Sequence, residues 1–269
     1  MNAAALPVAK EQVGVRIGSY NILCTVGVGT FRSAVEELTT RVEVAGLQEV
    51  NSKDKEAVLA SLSSRGWNYF RSKVTNAVQN PVIWDTNRFR FLDGRAVKLN
   101  DGTYIGKEMP KHYVKSMFAT VVHLQDLQSG QKISIVNVHL VPGATTKGRP
   151  TPGRPRLYRV FRTQVHNVAV LTKTERAWGR TFVMGDFNIG WVADERERLP
   201  RMPFMSFKRQ TMPSMWATDR PTTKRGTHQQ SLIDQVWSTT RATSSTVAFD
   251  MKFSDHHPAI AGYQLDVVS

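Results

Sequence analysis

At 269 residues the chain is long enough to bury a sizeable core within one α/β domain, and no repeat or linker divides it. Its 36 Lys and Arg against 22 Asp and Glu leave a formal charge of +14, which points to a polyanionic partner: nucleic acid first, an anionic membrane surface second. One cysteine, Cys24, excludes an intramolecular disulfide, and no apolar run reaches the roughly 18 residues of a membrane span. With no signal peptide either, the chain reads as soluble and cytoplasmic, without stable membrane association, and Cys24 reads as a small buried hydrophobe.

Residues 1–12 are expected to be flexible and 13–269 to form a single domain. Val13 to Asn21 alternates apolar and polar with period two, predicting a strand that ends on Asn21. Phe31, Val35, Leu38 and Val42 recur at helical spacing behind Thr30, a candidate N-cap, predicting a helix over 30–42. Val44 to Val50 reads as a buried strand with Glu49 at its end, a carboxylate awkward to bury unless it is paired or metal-bound. Ala57 to Leu62 is helical in pattern, and Trp67 to Phe70 is strand-like. Runs at 80–84, 89–99, 113–124 and 131–140, separated by turn signals, predict a β-meander whose last strand sets Asn137 and His139 on one face.

Pro142 to Arg156 is rich in Gly, Pro, Thr and cations and holds no acid, so a loop is expected. Leu157, Val160, Phe161, Val165, Val168 and Leu171 then form the apolar stripe of a helix whose other side carries Arg156, Arg159 and Arg162. Thr181 to Met184 predicts a short buried strand closed by Gly185, where the chain is expected to turn. Asp186 and Asn188 follow. With strand geometry both would leave one face as oxygen ligands for a hydrated divalent cation; the alternative is an Asx turn. Asp194 to Arg225 is irregular, with exposed-looking Phe204, Phe207 and Trp216 among cations, which suits stacking on nucleic acid as well as a surface loop pinned by its aromatics. Ser231 to Trp237 reads as a strand with a buried Asp234, and the polar segment 254–258 precedes a last strand over 259–265.

Asn21, Glu49, His139, Asp186, Asn188, Asp234, Asp255 and His256 thus fall at or near the ends of strand-like runs, where α/β folds gather their sites. Six segments carry them: Ser19-Tyr20-Asn21-Ile22-Leu23, Gly46-Leu47-Gln48-Glu49-Val50, Val136-Asn137-Val138-His139-Leu140, Gly185-Asp186-Phe187-Asn188, Leu232-Ile233-Asp234-Gln235-Val236-Trp237 and Ser254-Asp255-His256-His257-Pro258. In this order they resemble the motifs of the endonuclease/exonuclease/phosphatase superfamily, the deoxyribonuclease I-like fold. The resemblance implies a four-layer α/β sandwich, two mixed β-sheets packed face to face with helices outside, and a metal-dependent phosphodiester or phosphomonoester hydrolase.

Carried over by position, the resemblance makes Glu49 the main ligand of Mg²⁺, with Mn²⁺ or Ca²⁺ as alternatives, and sets Asn21 and Asp255 close to the ion. It has Asp234 hold His256, Asp186 with Asn188 orient or activate the attacking water, and His139 contact the scissile phosphate. Gln79 and Asn80 stand where the deoxyribonuclease I branch has a carboxylate that orients its first histidine; His139 would then be held by an amide, and Asn80 becomes a candidate substrate-site residue. Arg149, Arg154 and Arg156 would meet a substrate backbone at the lip of the site. The expected activity is a nuclease acting on DNA with low sequence specificity. The alternatives are a phosphatase or phospholipase-like hydrolase acting on an inositol phosphate or phospholipid headgroup, and an inactive basic nucleic-acid-binding module.

Overall fold

In the computed structural model, which describes residues 11–220 and 225–268, the alternating and apolar runs become strands of two large sheets. The first ten residues of the stretch expected to be flexible lie outside the described residues. In chain order the strands are β1 (Gln12–Asn21), β2 (Val44–Gln48), β3 (Trp67–Phe70), β4 (Val82–Asp85), β5 (Phe89–Asn100), β6 (Thr103–Tyr104), β7 (Tyr113–Val114), β8 (Met117–Asp126), β9 (Lys132–His139), β10 (Thr145–Thr146), β11 (Arg149–Pro150), β12 (Arg180–Asp186), β13 (Asp234–Ser238), β14 (Ser244–Val247) and β15 (Ala259–Asp266). The α-helices are α1 (Val28–Leu38), α2 (Lys53–Ser61), α3 (Pro155–Trp178), α4 (Trp191–Glu197) and α5 (Pro203–Lys208).

One sheet runs β14-β15-β1-β2-β4-β3, the other β13-β12-β9-β8-β5, and β6-β7 and β10-β11 are small separate hairpins. Each large sheet is mixed: β1 is parallel to β2 and β12 to β9, while the other pairs are antiparallel. Helices cover the outer faces. Phe31, Ala34, Val35 and Leu38 of α1 and Val58 and Leu59 of α2 share a buried cluster with Tyr20, Ala45, Leu47 and Ile83 of the first sheet. The stripe of α3 lies against the second sheet, and all six of its apolar residues are buried. Side chains of this size stabilise by about 1.5–3 kcal/mol each when fully buried. The four-layer sandwich is therefore the one the motifs implied.

A polar staple fixes the two sheets against each other. Asn137 on β9 donates from Nδ2 to Leu47 O at 2.8 Å and Pro81 O at 2.9 Å, and its Oδ1 accepts from Gln48 Nε2 at 2.7 Å. The approach is close enough that a Cβ on Gly46 would lie 2.6 Å from Asn137 Oδ1.

Several local expectations change. The first helix starts at Val28, behind Gly27, and stops at Leu38, because the Thr39 and Thr40 hydroxyls donate to the Glu36 and Glu37 carbonyls and close its last turn. Helix α2 begins earlier than the apolar pattern shows, at a polar first turn capped by the Ser52 side chain, which accepts from Lys55 N. The 80–84 run does not join the meander; as β4 it pairs with β2 and β3 in the other sheet, leaving β5-β8-β9 as the meander. Gly185 is no turn. It continues β12 with φ 144, and a Cβ there would meet Val138 O at 1.8 Å.

The loop at 142–156 contains the β10-β11 hairpin, and the irregular stretch after 194 contains α5 and a 3₁₀ turn. Phe207 and Trp216 are fully buried, the latter donating to Asp234 O, so they belong to the core and cannot stack on nucleic acid. Residues 221–224 of that stretch lie outside the described residues. Cys24 is exposed, against expectation, because the chain leaves the first sheet at Asn21. Among the described residues no helix is long and apolar enough to cross a membrane.

Candidate active site

Strand register brings the polar strand ends together. Across the second sheet Asp186 is paired with His139 on one side and Asp234 on the other, and across the first Asn21 is paired with Gln48, so Glu49 follows directly. Glu49 sits at φ 66, a left-handed conformation rare for a residue with a side chain, which turns the backbone at the strand end.

Asn21 links the two sheets here. Its Nδ2 donates to Asp186 Oδ2 at 3.1 Å and to Glu49 Oε1 at 3.2 Å, while Glu49 Oε2 accepts from Cys24 N at 2.8 Å. Asp186, only 2% exposed, also lies 3.5 Å from His139 Nε2 and 3.9 Å from His256 Nε2. The other ring nitrogen of His256 donates to Asp234 Oδ2 at 2.8 Å. Asp186 Oδ1 accepts from Asn188 N at 2.8 Å, so the Asx turn forms, and Asn188 at φ 51 donates its own amide to Leu140 O. Turn and site are one arrangement: one carboxylate oxygen closes the loop, the other faces the imidazoles.

The electrostatics follow from burial and charge. Burial raises the Asp186 pKa and the Asp234 carboxylate raises it further, against two imidazoles that lower it. Burial disfavours a charged His256, but Asp234, Asp186 and Asp255 outweigh it and lift the imidazole from 6.5 to about 9. Burial would raise Glu49; the Cys24 N–H, His139 and the Asn21 amide reverse that and leave it lowered.

At this centre the buried Asn21 Oδ1 and Asp234 Oδ1 have no hydrogen-bond partner among the described residues. An orphaned amide oxygen beside Glu49 and Asp186 makes an oxygen-rich set that fits a hard divalent cation. Among the described residues, the groups of three His and carboxylate side chains whose ligand atoms lie mutually within 4.8 Å are Asp186-Asp234-His256 and His228-Asp255-His256, and Glu49 stands outside both.

The model of the endonuclease/exonuclease/phosphatase family matches residues 18–256, from the end of β1 to the His256 loop. The chain belongs to the endonuclease/exonuclease/phosphatase family. No curated protein matches it by sequence. Its fold is similar to that of an endonuclease/exonuclease/phosphatase family protein from Bacteroides thetaiotaomicron, with TM-score 0.70, 12% identity and coverage of 96% of this chain and 97% of the other. A mannosyl-6-phosphatase from the same organism gives TM-score 0.69 at 13% identity, covering 93% and 99%. TDP2 from D. rerio, complexed with a single-strand DNA product, gives 0.63 at 13%, covering 94% and 99%.

Within this family member the remaining expected site residues divide. Asp255 is exposed, takes a hydrogen bond from the Ser254 hydroxyl and lies 3.8 Å from His228 Nε2. Asn80 does not hold His139 through a hydrogen bond: its Nδ2 donates to Phe118 O at 3.1 Å, although both residues line one cavity. Arg149 is ion-paired with Glu197 at 2.6 Å, and Arg154 donates to Gly143 O. Arg156 keeps an exposed side chain, while its backbone N and that of Leu157 donate to Glu108, whose carboxylate caps α3. The loop reads as acid-free in sequence because its acids come from elsewhere in the chain.

His228 is the residue the sequence pattern missed. Its ring stacks on His256 at 4.5 Å between centroids, and its loop is held by the Thr227 hydroxyl, which accepts from Ile233 N and Asp234 N. No periodicity marks it. The one available signal is a histidine in the short polar stretch before the Asp234 strand.

Proposed function

We propose that this family hydrolase is a divalent-cation-dependent phosphodiesterase acting on nucleic acid, DNA in the first place, with little sequence preference. One observation carries the reading: a buried carboxylate, Asp186, between the imidazoles of His139 and His256, with His256 in turn held by Asp234. Hydrolysis of a phosphodiester needs a proton taken from water, a proton given to the leaving oxygen and charge on the non-bridging oxygens. Asp186, fixed by the Asn188 N–H and with its proton affinity raised by burial, takes the proton from water. His256, an imidazolium at neutral pH with a pKa of about 9, gives its proton to the leaving oxygen. His139 donates to a phosphate oxygen.

Glu49 and Asn21 would hold the cation, Mg²⁺ in the first place, with Asp255 contributing from beside His256. When bound, the cation supplies Lewis-acid charge to the phosphate. The net charge of +14 favours a polyanionic substrate over a small headgroup, because sequence-independent binding rests on neutralised phosphates.

The test is incubation of purified protein with plasmid DNA, inositol phosphates and sugar phosphates, with Mg²⁺ or with chelator. Metal-dependent nicking or degradation of the plasmid is the expected result. Release of phosphate from the small monoesters with the plasmid left intact would assign the site to a phosphatase instead.

A further inference from the structure

A cavity of about 300 Å³ opens on the far side of His139 from Asp234, lined among others by Gln79, Asn80, Lys111, Lys115 and Phe118. We infer that it is a subsite for the nucleotide unit next to the scissile phosphate, with Lys111 and Lys115 receiving that unit's own phosphate. The inference rests on the phosphodiesterase reading for the identity of the scissile group, and it narrows the substrate to a chain carrying at least two phosphates.

Three features point there. First, the cavity is cationic and unneutralised: no carboxylate lines it, both lysines are exposed, and neither forms an ion pair among the described residues. Arg149 and Arg154, across the 142–156 loop, are already engaged by Glu197 and by Gly143 O. Second, Asn80 is 5% exposed with its Nδ2 used on Phe118 O, yet its Oδ1 is buried without a donor. An acceptor left buried without a donor is costly, and a base N–H would satisfy it. Third, the lining is mixed: Phe118, Met117 and Pro142 offer apolar surface beside the amides of Asn76, Gln79 and Asn80. Apolar walls with a few convergent polar groups suit a nucleoside, whereas a bare inorganic anion would use only the lysines.

His139 joins this cavity to the Asp186 centre, since it lines the one and lies 3.5 Å from the other. A phosphodiester at Asp186 would therefore have its neighbouring nucleotide within reach of the lysines.

The experiment compares the protein with its Lys111→Ala, Lys115→Ala double variant in two assays. Binding of a fluorescein-labelled phosphorothioate oligonucleotide is read by anisotropy in chelator over a salt series, and hydrolysis of bis-nitrophenyl phosphate, which has no flanking phosphate, is read with Mg²⁺. The expected result is about tenfold weaker oligonucleotide binding, a salt slope reduced by about 0.7 because one phosphate is no longer neutralised, and unchanged nitrophenyl hydrolysis. Asn80→Leu should weaken binding without changing the salt slope. Equal affinity and slope for the double variant and the parent would overturn the subsite while leaving the hydrolase reading intact. A parallel loss of nitrophenyl hydrolysis would also overturn it, because the lysines would then serve the reacting centre. Lysine-dependent oligonucleotide binding by a protein that leaves bis-nitrophenyl phosphate intact would keep the lysines as a nucleic-acid contact and sink the phosphodiesterase reading.

Discussion

The Asn21 amide reaches from the end of one sheet to Asp186 at the end of the other, with Nδ2 3.1 Å from the carboxylate Oδ2. The same nitrogen holds Glu49, and Oδ1 is buried without a hydrogen-bond partner among the described residues. Asn21→Ala should therefore lower turnover on plasmid or chromogenic diester, and weaken Mg²⁺ or Mn²⁺ binding by calorimetry, each by roughly 10–100-fold. Full activity with unaltered metal affinity would remove Asn21 from the site.

Asp234→Asn should take away the main charge that keeps His256 protonated. A pKa raised to about 9 means that folding stability from the imidazolium is fully present below about 6.5 and is lost as pH rises through about 9. The variant should lose that component, and its alkaline limb in the pH-rate profile should move to lower pH. A combined Asp234→Asn, His256→Ala variant should be little worse than the worse single change, since the two act as a unit. Multiplicative losses would show that they act separately.

Asn137→Leu should unfold the protein more readily by roughly 3 kcal/mol, because three buried hydrogen bonds at about 1 kcal/mol each, to the Leu47 and Pro81 carbonyls and from the Gln48 amide, are lost together. Urea titration followed by circular dichroism reads this directly. A change within a few tenths of a kcal/mol would mean that the staple does not hold the sheets.

Asp194 gives a stability prediction of the same sign as His256, since its pKa is also raised, but in a more acid window. It is buried on α4, accepts one bond from Phe204 N, leaves Oδ1 unpartnered, and burial raises its pKa from 3.8 to about 7. Above about 4 the unfolded chain gives up this proton while the folded chain keeps it until about 7, so stability falls across that window as pH rises. Asp194→Asn should raise the melting temperature at pH 8 by several degrees and change it little at pH 4. An equal effect at both pH values would show that the carboxyl is not protonated in the folded state.

The sequence by itself determined that these runs are strands and which polar residues stand near their ends, although it closed the β12 run at Gly185 and opened the β13 run at Ser231. Alternation in β1, the apolar run of β2 and the apolar stripe of α3 are local patterns enforced by the geometry of strand and helix, and the six ordered motifs made the family legible. Contacts between residues far apart in the chain decided the rest. An apolar run such as 80–84 suits any sheet interior, so only packing could assign β4 to the first sheet. Phe207 and Trp216 lie in a stretch without periodicity, and their burial depends on Trp237 and the Asp234 strand. Arg149 reads as a free cation until Glu197 comes beside it, and His228 is silent until its ring lies on His256. Periodicity reports the face a residue presents within its own element; burial, charge pairing and proton affinity depend on what the fold sets against that face.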